Sequence, residues 1–172
     1  MSVVRLLIMV ADTNMYVEVG DDGTDIIVEA AAYGVVSSYR SSIGSRALDE
    51  AVMLYVRRRY DLLMGERTAE AVRQEMGSAL PLEETRTMKL RARHVTEQVP
   101  KTIMLTDEEI REALAGCVST LVDGVRLAIE RTRPEFMAEI AERGIMLKGG
   151  EVLKNLDHRL TIETGLPVTV ME

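Results

Sequence analysis

A glycine pair, Gly149 and Gly150, stands where the chain could hold a phosphate group. The apolar run 145–147 precedes the pair and predicts a strand, and a helical pattern follows the pair immediately. A strand, a tight glycine turn and a helix N-terminus bring backbone N–H groups and a partial positive charge together. The same residues also suit an ordinary strand-to-helix turn, because such loops are commonly short. The residues alone leave both interpretations open.

A second candidate is the acidic segment 21–25, in which three aspartates surround Gly23. Carboxylate oxygens are ligands that Mg²⁺ prefers, so the segment could bind a divalent cation. Aspartate and glycine are also turn residues, and a turn between two strands explains them more simply. His94, His158 and Cys117 lack the spacing of metal ligands.

The composition and net charge of the chain exclude several classes of function. The 172 residues fit one compact domain, or one domain with a small subdomain, and their net charge of −7 argues against a nucleic-acid binder. The basic run 57–59 is interpreted as a solvated helix end. A single cysteine excludes an intramolecular disulfide and fits a reducing cytosol, so we expect a cytoplasmic protein. No apolar run reaches the roughly 18 residues that span a bilayer.

Hydrophobic periodicity predicts an α/β protein with a mixed sheet covered by helices. A capping box at Thr106 and Glu109 predicts the start of the longest helix, and Pro134 predicts the start of the next. The predicted turn at 12–14 separates the first two strands. The predicted strands are 3–10, 15–20, 25–30, 35–43, 145–147 and 167–171, with an exposed hairpin over 85–105. The predicted helices are 44–60, 65–78, 106–131, 134–142 and one from the glycine pair to about 164.

Several short motifs of this sequence resemble, in the same order along the chain, motifs of the MreB family of bacterial actin homologues. They are Gly-Glu-Arg-Thr-Ala-Glu at 65–70, Pro-Lys-Thr-Ile at 100–103, Glu-Ile-Arg-Glu-Ala-Leu at 109–114, Arg-Gly-Ile at 143–145 followed by the glycine pair, and Glu-Thr-Gly-Leu-Pro-Val at 163–168. The resemblance covers about residues 14–172 and concerns the second of the family's two large domains, subdomains IIA and IIB.

The resemblance implies an actin-like, ribonuclease H-like fold with a small α+β insertion. It implies a IIA-like core at 14–64 and 104–172 and an inserted IIB-like subdomain at 65–103. Residues 1–13 match neither and are interpreted as an apolar strand. Family proteins hold ATP between two large domains and form filaments that direct rod-shaped growth. We therefore expect the first domain, with its phosphate loop and the membrane-binding segments, to lie outside this chain.

The resemblance also implies the nucleotide-binding positions. They are Gly20, Thr24 and Asp25 in the first hairpin, Glu70 and Arg73 in the insertion helix, and Gly149 and Gly150. The family's Asp-Ile-Gly-Gly-Gly-Thr-Thr-Asp is Glu-Val-Gly-Asp-Asp-Gly-Thr-Asp at 18–25, so Asp21 and Asp22 replace two glycines. A carboxylate at ~4 Å repels a phosphate charge by about 1 kcal/mol in water, and by several times that at lower dielectric.

Other motifs of the family also differ in this sequence. The Gly-Gly-Asp after the third strand is Gly44-Ser45-Arg46, the third glycine of the later triplet is Glu151, and Arg73 replaces a lysine. Glu70 and Arg73 lie about one helical turn apart, so they could equally form a surface ion pair.

These departures predict a non-catalytic actin-like domain that has lost nucleotide binding and has no ATPase activity alone. The alternative is the ATP-binding half of an actin-like ATPase, with Mg-ATP, that needs a first domain in cis or in trans. For partners we expect self-association or an actin-like partner domain. We expect the chain to be a monomer or a small oligomer and not a filament. We expect no nucleic acid and no membrane-binding segment in this chain.

Overall fold

The computed structural model describes residues 12–172, which form a five-stranded mixed sheet as their main feature. Numbered in chain order, its strands are β1 (Thr13–Val19), β2 (Thr24–Ala30), β3 (Gly34–Ser41), β7 (Ile145–Lys148) and β8 (Val168–Met171). They lie in the order β3-β2-β1-β7-β8. The first three form an antiparallel meander, and β7 and β8 continue parallel to β1. The predicted α/β class with a mixed sheet is confirmed.

A second, three-stranded antiparallel sheet follows the order β4-β5-β6. Its strands are β4 (Leu62–Leu63), β5 (Thr87–His94) and β6 (Pro100–Thr106). β5 and β6 are the predicted hairpin, whereas the two-residue β4 is too short to leave a periodic pattern in the sequence. This sheet begins and ends slightly outside the range 65–103 that was expected for the insertion.

The helices are α1 (Ser45–Tyr60), α2 (Glu66–Met76), α3 (Asp107–Arg131), α4 (Pro134–Arg143) and α5 (Leu156–Thr164). The predicted capping box sets the start of α3. The Glu109 N–H donates to Thr106 Oγ1 at 3.2 Å, and the Thr106 N–H donates to Glu109 Oε2 at 2.9 Å. α4 begins at the proline, as predicted.

The core is mainly aliphatic, in keeping with the single phenylalanine and the lack of tryptophan in the sequence. Strand register places Met15 and Val17 of β1 between their partners on β2 and β7. α3 packs on β2 and β3, α4 packs on β1, and α5 packs on β8. Buried core residues at this sheet include Met15, Val17, Ile26, Val28, Ile145 and Leu147.

Two predicted features of the chain are wrong and one lies outside the described residues. Thr13 and Asn14, predicted in a turn, belong to β1, because Thr13 is buried and pairs with Ala30. No α-helix follows the glycine pair immediately. A single 3₁₀ turn (Gly150–Val152) comes first, and residue 154 then forms a parallel bridge with Ser78 that keeps the chain extended. The predicted strand 3–10 lies outside the described residues.

Candidate functional site

The carboxyl ends of β1 and β7 lie side by side and bring two of the predicted glycine loops together. Glu18 and Lys148 are register partners there, and their side chains form an ion pair at 3.2 Å. The loop 20–23 leaves β1, and the glycine pair leaves β7. Ligands of open α/β sheets bind outside the carboxyl ends of parallel strands, so this edge is the candidate site.

The loop 20–23 covers the N-terminus of α1 with its own carbonyl groups. The Ser45 N–H donates to the Gly20 carbonyl at 3.0 Å, and the Arg46 N–H donates to the Asp21 carbonyl at 3.1 Å. A Cβ on Gly44 would lie 2.4 Å from the Gly20 oxygen, so only glycine permits this approach. Two donors at the start of this helix therefore already have protein acceptors.

The aspartates of this loop each face a different partner. Asp21 Oδ1 accepts a hydrogen bond from Ser45 Oγ at 2.9 Å, and Asp22 pairs with Arg46 at 2.5 Å in an exposed ion pair. Asp25 accepts from the Arg40 guanidinium at 2.7 and 2.8 Å, and this contact raises the pKa of Arg40. Within residues 12–172 no group of three or more histidine, cysteine, aspartate or glutamate side chains that could hold a metal ion occurs.

Thr24 is fully buried, and its hydroxyl forms a hydrogen bond that stabilises the fold. Its hydroxyl donates to the Ile43 carbonyl at 2.6 Å and so ties the start of β2 to the segment before α1. Its neighbour Gly23 has a close backbone approach, since a Cβ there would lie 2.6 Å from the Ser41 oxygen.

Gly149 and Gly150 form a tight turn against β1, so the strand and turn of the predicted motif are confirmed. Gly149 has φ 69°, and a Cβ there would lie 2.2 Å from the Val19 oxygen. Gly150 is buried against Leu147. The predicted helix N-terminus at this point is wrong, because α5 begins only at Leu156.

Arg73 is 4% exposed and joins three elements from its place on α2. Its Nε donates to Asp49 Oδ1 of α1 at 2.6 Å, and an Nη donates to the Val152 carbonyl at 2.7 Å. The considered surface ion pair between Glu70 and Arg73 is therefore wrong. Glu70 is exposed and accepts a hydrogen bond from the Gln74 side chain at 3.2 Å, while Asp49 forms the ion pair with Arg73.

Two depressions open at this edge, and in both of them carboxylates outnumber cations. One, of about 500 Å³, lies around the loop 20–23 and has four carboxylates against two cations. The other, of about 260 Å³, lies between α1 and α2, includes Glu70, and has five carboxylates against two cations. We call the pair the acidic cleft; its charged residues are Glu18, Asp21, Asp22, Asp25, Arg40, Arg46, Asp49, Glu50, Glu66, Arg67, Glu70 and Lys148.

Sequence reasoning missed Asp49, Arg40 and the Val152 carbonyl as parts of this region. Asp49 lies 24 residues from Arg73 in the chain, and no local pattern signals a pair formed between two helices. Arg40 faces Asp25 across the β2–β3 register, which a hairpin alignment of the sequence could have found.

The sequence model of the MreB/Mbl protein family matches residues 4–172. The chain belongs to the MreB/Mbl family. The cell shape-determining protein MreB of Escherichia coli (strain K12) is 42% identical over 163 residues, which are 94% of this chain and 47% of that protein. The cell shape-determining protein Mbl of Bacillus subtilis (strain 168) is 36% identical over 160 residues, 92% of this chain and 48% of that protein. The chain thus spans about half the length of these relatives.

Solved structures place this MreB/Mbl chain in the actin-like fold. MreB5 of Spiroplasma citri bound to ADP superposes with a TM-score of 0.87 at 26% identity, over 93% of this chain and 49% of that chain. The MamK double helical filament superposes with a TM-score of 0.72 at 16% identity, over 92% of this chain and 49% of that chain, which shows the fold alone. Within residues 12–172 no helix is both long and apolar enough to cross a bilayer.

Proposed function

We propose that this MreB/Mbl chain is a non-catalytic, actin-like cytoskeletal or interaction domain related to cell-shape determination, and that it no longer holds a nucleotide. The names of its relatives, cell shape-determining proteins, support the cytoskeletal part. Its single, half-buried cysteine supports a reducing, cytoplasmic location. The proposed loss of nucleotide rests on the loop 20–23.

The geometry of that loop is poorly suited to phosphate. Glycine N–H groups cradle phosphates when no side chain intervenes, and here Asp21 and Asp22 add two negative charges. The N–H groups of Ser45 and Arg46, which a helix N-terminus would offer to an anion, donate to loop carbonyls instead. These occupied donors and added carboxylates are the observation that carries the proposal.

The side of the cleft nearer the insertion supports the same proposal. Arg73, expected to contact the nucleoside, is instead held by Asp49 and Val152. Releasing it toward a ligand would leave the carboxylate of Asp49, which is 15% exposed, without its partner. Glu70 remains at the cleft, in a lining where carboxylates already outnumber cations.

The alternative, an ATP-binding half that needs another domain, has one specific observation in its favour. Gly149 and Gly150 keep a tight backbone turn at the carboxyl end of β7, where a nucleotide edge could approach. The Spiroplasma citri MreB structures were bound to AMPPNP and to ADP. The two proposals differ in whether this chain gains stability from Mg-nucleotide.

Thermal unfolding with and without Mg-ATP or Mg-ADP separates them. We expect no shift for the native chain and no phosphate release above a protein-free blank. In Asp21→Gly/Asp22→Gly, ligand at ~100 times its dissociation constant should add about 2.7 kcal/mol to the free energy of unfolding. That gain raises Tm by about 5–10 °C for a domain of this size.

A charge-matched control is Glu83→Gly/Glu84→Gly, which removes two exposed carboxylates from another loop. We expect this control to show no nucleotide shift. A shift of the native chain, or turnover that Thr24→Ala abolishes, would overturn the proposal. If neither the native chain nor the double glycine variant responds, the aspartates are not the cause.

A further inference from the structure

The outer face of the small sheet carries three exposed cations in a row along β5. Lys89, Arg91 and Arg93 alternate with Leu90 and Ala92, which point to the other side, and Leu90 is buried. None of the three cations forms an ion pair within residues 12–172. Elsewhere in the described chain exposed arginines such as Arg40 and Arg46 do have carboxylate partners.

Aliphatic side chains stand among these cations. Met104 is the register partner of Lys89, and Leu63 is the partner of Arg93, so both point to the same side of the sheet. Met104 is 49% exposed and Leu63 is 45% exposed. We call these residues the basic face; its members are Leu63, Lys89, Arg91, Arg93 and Met104.

No carboxylate belongs to the side of the sheet that carries the basic face. The other register positions on that side are Thr87, Pro100, Thr102 and Thr106. The C-terminal end of α1 extends the positive charge beside β4, since residues 57–59 are exposed arginines without ion pairs in the described part of the chain. Leu54, 46% exposed, lies with Arg57 and Leu63 around a shallow depression of about 230 Å³, and Glu50 is the one carboxylate in its lining.

We infer that the basic face docks on the surface of a bilayer that contains anionic lipid. Cations there lie near lipid phosphates while neighbouring aliphatic side chains enter the headgroup region. The chain as a whole carries −7, so attraction to an anionic surface requires this one face to be turned toward it. The depression beside the basic face shares Glu50 and Met53 with the acidic cleft. The basic face itself contains no residue of the cleft, so the inference holds whether or not nucleotide binds.

The composition of the face favours a bilayer over other anionic partners. It contains no aromatic side chain on which a nucleobase could stack. It is one side of an antiparallel sheet and not a groove that would enclose an acidic peptide. A membrane-binding surface in this chain differs from the expectation that such segments lie only in the other domain.

Vesicle flotation tests the inference on the full chain. We expect binding to vesicles of phosphatidylcholine with phosphatidylglycerol, no binding to phosphatidylcholine alone, and release at high salt. Each cation near an anionic surface contributes about fivefold to partitioning, so Lys89→Gln/Arg91→Gln/Arg93→Gln should weaken it roughly a hundredfold. The charge-matched control Arg126→Gln/Arg131→Gln/Arg133→Gln, which changes three exposed arginines at and just beyond the C-terminal end of α3, should retain binding.

A tryptophan reporter distinguishes a docked face from a loosely held chain, because the sequence contains no tryptophan. Met104→Trp should show a blue-shifted emission on anionic vesicles. Ile162→Trp, at a 68% exposed position on α5, should not. Circular dichroism establishes that every variant is folded.

Three results would overturn the inference. The first is no binding of the folded native chain to anionic vesicles. The second is equal binding by the triple variant and its control, or equal blue shifts at 104 and 162. The third is binding to polyglutamate or single-stranded DNA through the same cations, without binding to vesicles, which would assign the face to a soluble anionic partner.

Discussion

Arg73 is the side chain whose surroundings bear most directly on the acidic cleft. At the position where the family resemblance implies a nucleoside contact, it forms a nearly buried ion pair with Asp49 and also binds the Val152 carbonyl. One guanidinium thus joins α2, α1 and the turn after the glycine pair. A planar fork of donors can make these contacts together, which the single ammonium of a lysine cannot do in the same geometry.

We therefore expect Arg73→Ala to lower the free energy of unfolding by about 3–5 kcal/mol, because it leaves Asp49 without its partner. The control Arg46→Ala breaks the exposed pair with Asp22 and should cost about 0–1 kcal/mol. Urea denaturation of both variants measures the difference. Equal costs would show that the Arg73 pair is no stronger than a surface pair.

Tyr60 links the end of α1 to the capping box of α3 and gives stability a pH dependence. Its hydroxyl donates to Glu109, and this hydrogen bond, with burial, raises the pKa of Tyr60 to about 12. The unfolded chain ionises first, near pH ~10, so the contribution is complete below that pH and is lost as pH rises toward about 12.

Tyr60→Phe should remove this alkaline loss and lower stability near neutral pH by about 1 kcal/mol. Urea unfolding on both sides of the alkaline transition measures it. Tyr33→Phe, which removes a hydroxyl from a half-exposed ring, serves as the control. An unchanged alkaline profile in Tyr60→Phe would contradict the assigned role.

At the scale of elements, two glycine loops hold the candidate site together by close backbone approach. The loop 20–23 caps α1, and Gly149 presses against the end of β1. Both loops lie at the carboxyl ends of parallel neighbours, where a nucleotide would also lie. These contacts also stabilise the fold. The carbonyls of the loop 20–23 accept hydrogen bonds from the first N–H groups of α1, and Gly149 packs directly against the Val19 carbonyl.

A comparison of alanine substitutions at Gly149 and Gly165 separates the cost of a close backbone contact from the cost of a positive φ. Both have positive φ, but a Cβ on Gly149 would meet the Val19 oxygen, whereas one on Gly165 would meet nothing within 4 Å. Gly165→Ala should cost about 1 kcal/mol from the left-handed conformation alone, and Gly149→Ala should cost well above that. Thermal unfolding compares them, and similar costs would contradict the tight packing of the β7 turn.

At the scale of the whole molecule, charge is distributed unevenly over an actin-like fold. The acidic cleft lies at one sheet edge, and the basic face lies on the small sheet. The family assignment relates the chain to cell shape-determining proteins. The chain spans about half of its relatives' length, so the activity of the whole relatives does not carry over to it directly.

We expect the chain to sediment as a monomer or small oligomer whose size does not respond to Mg-ATP. The reason is the proposed loss of phosphate contacts, which removes the ligand that could couple the cleft to assembly. Sedimentation velocity across a wide concentration range, with and without Mg-ATP, measures this. Long polymers by electron microscopy, or ATP-dependent growth, would contradict it.

Local sequence patterns predicted most elements of the chain, because each has a cause within a few residues. The capping box placed the start of α3, the proline placed α4, and alternation placed β1 and β2. The predictions failed where distant segments compete with local preference. Thr13 joins β1 because Ala30 pairs with it, and α5 starts late because the residues before it bridge to Ser78.

The sequence by itself determined the family, the α/β class and the two aspartates of the loop 20–23, since all three are properties of residue identity and order. Only the tertiary structure decided that Arg73 belongs to Asp49, that the N-terminus of α1 is covered by loop carbonyls, and that the cations of β5 share a face with Leu63 and Met104. The physical reason is that hydrogen bonds and ion pairs depend on distance in space, which chain separation does not encode.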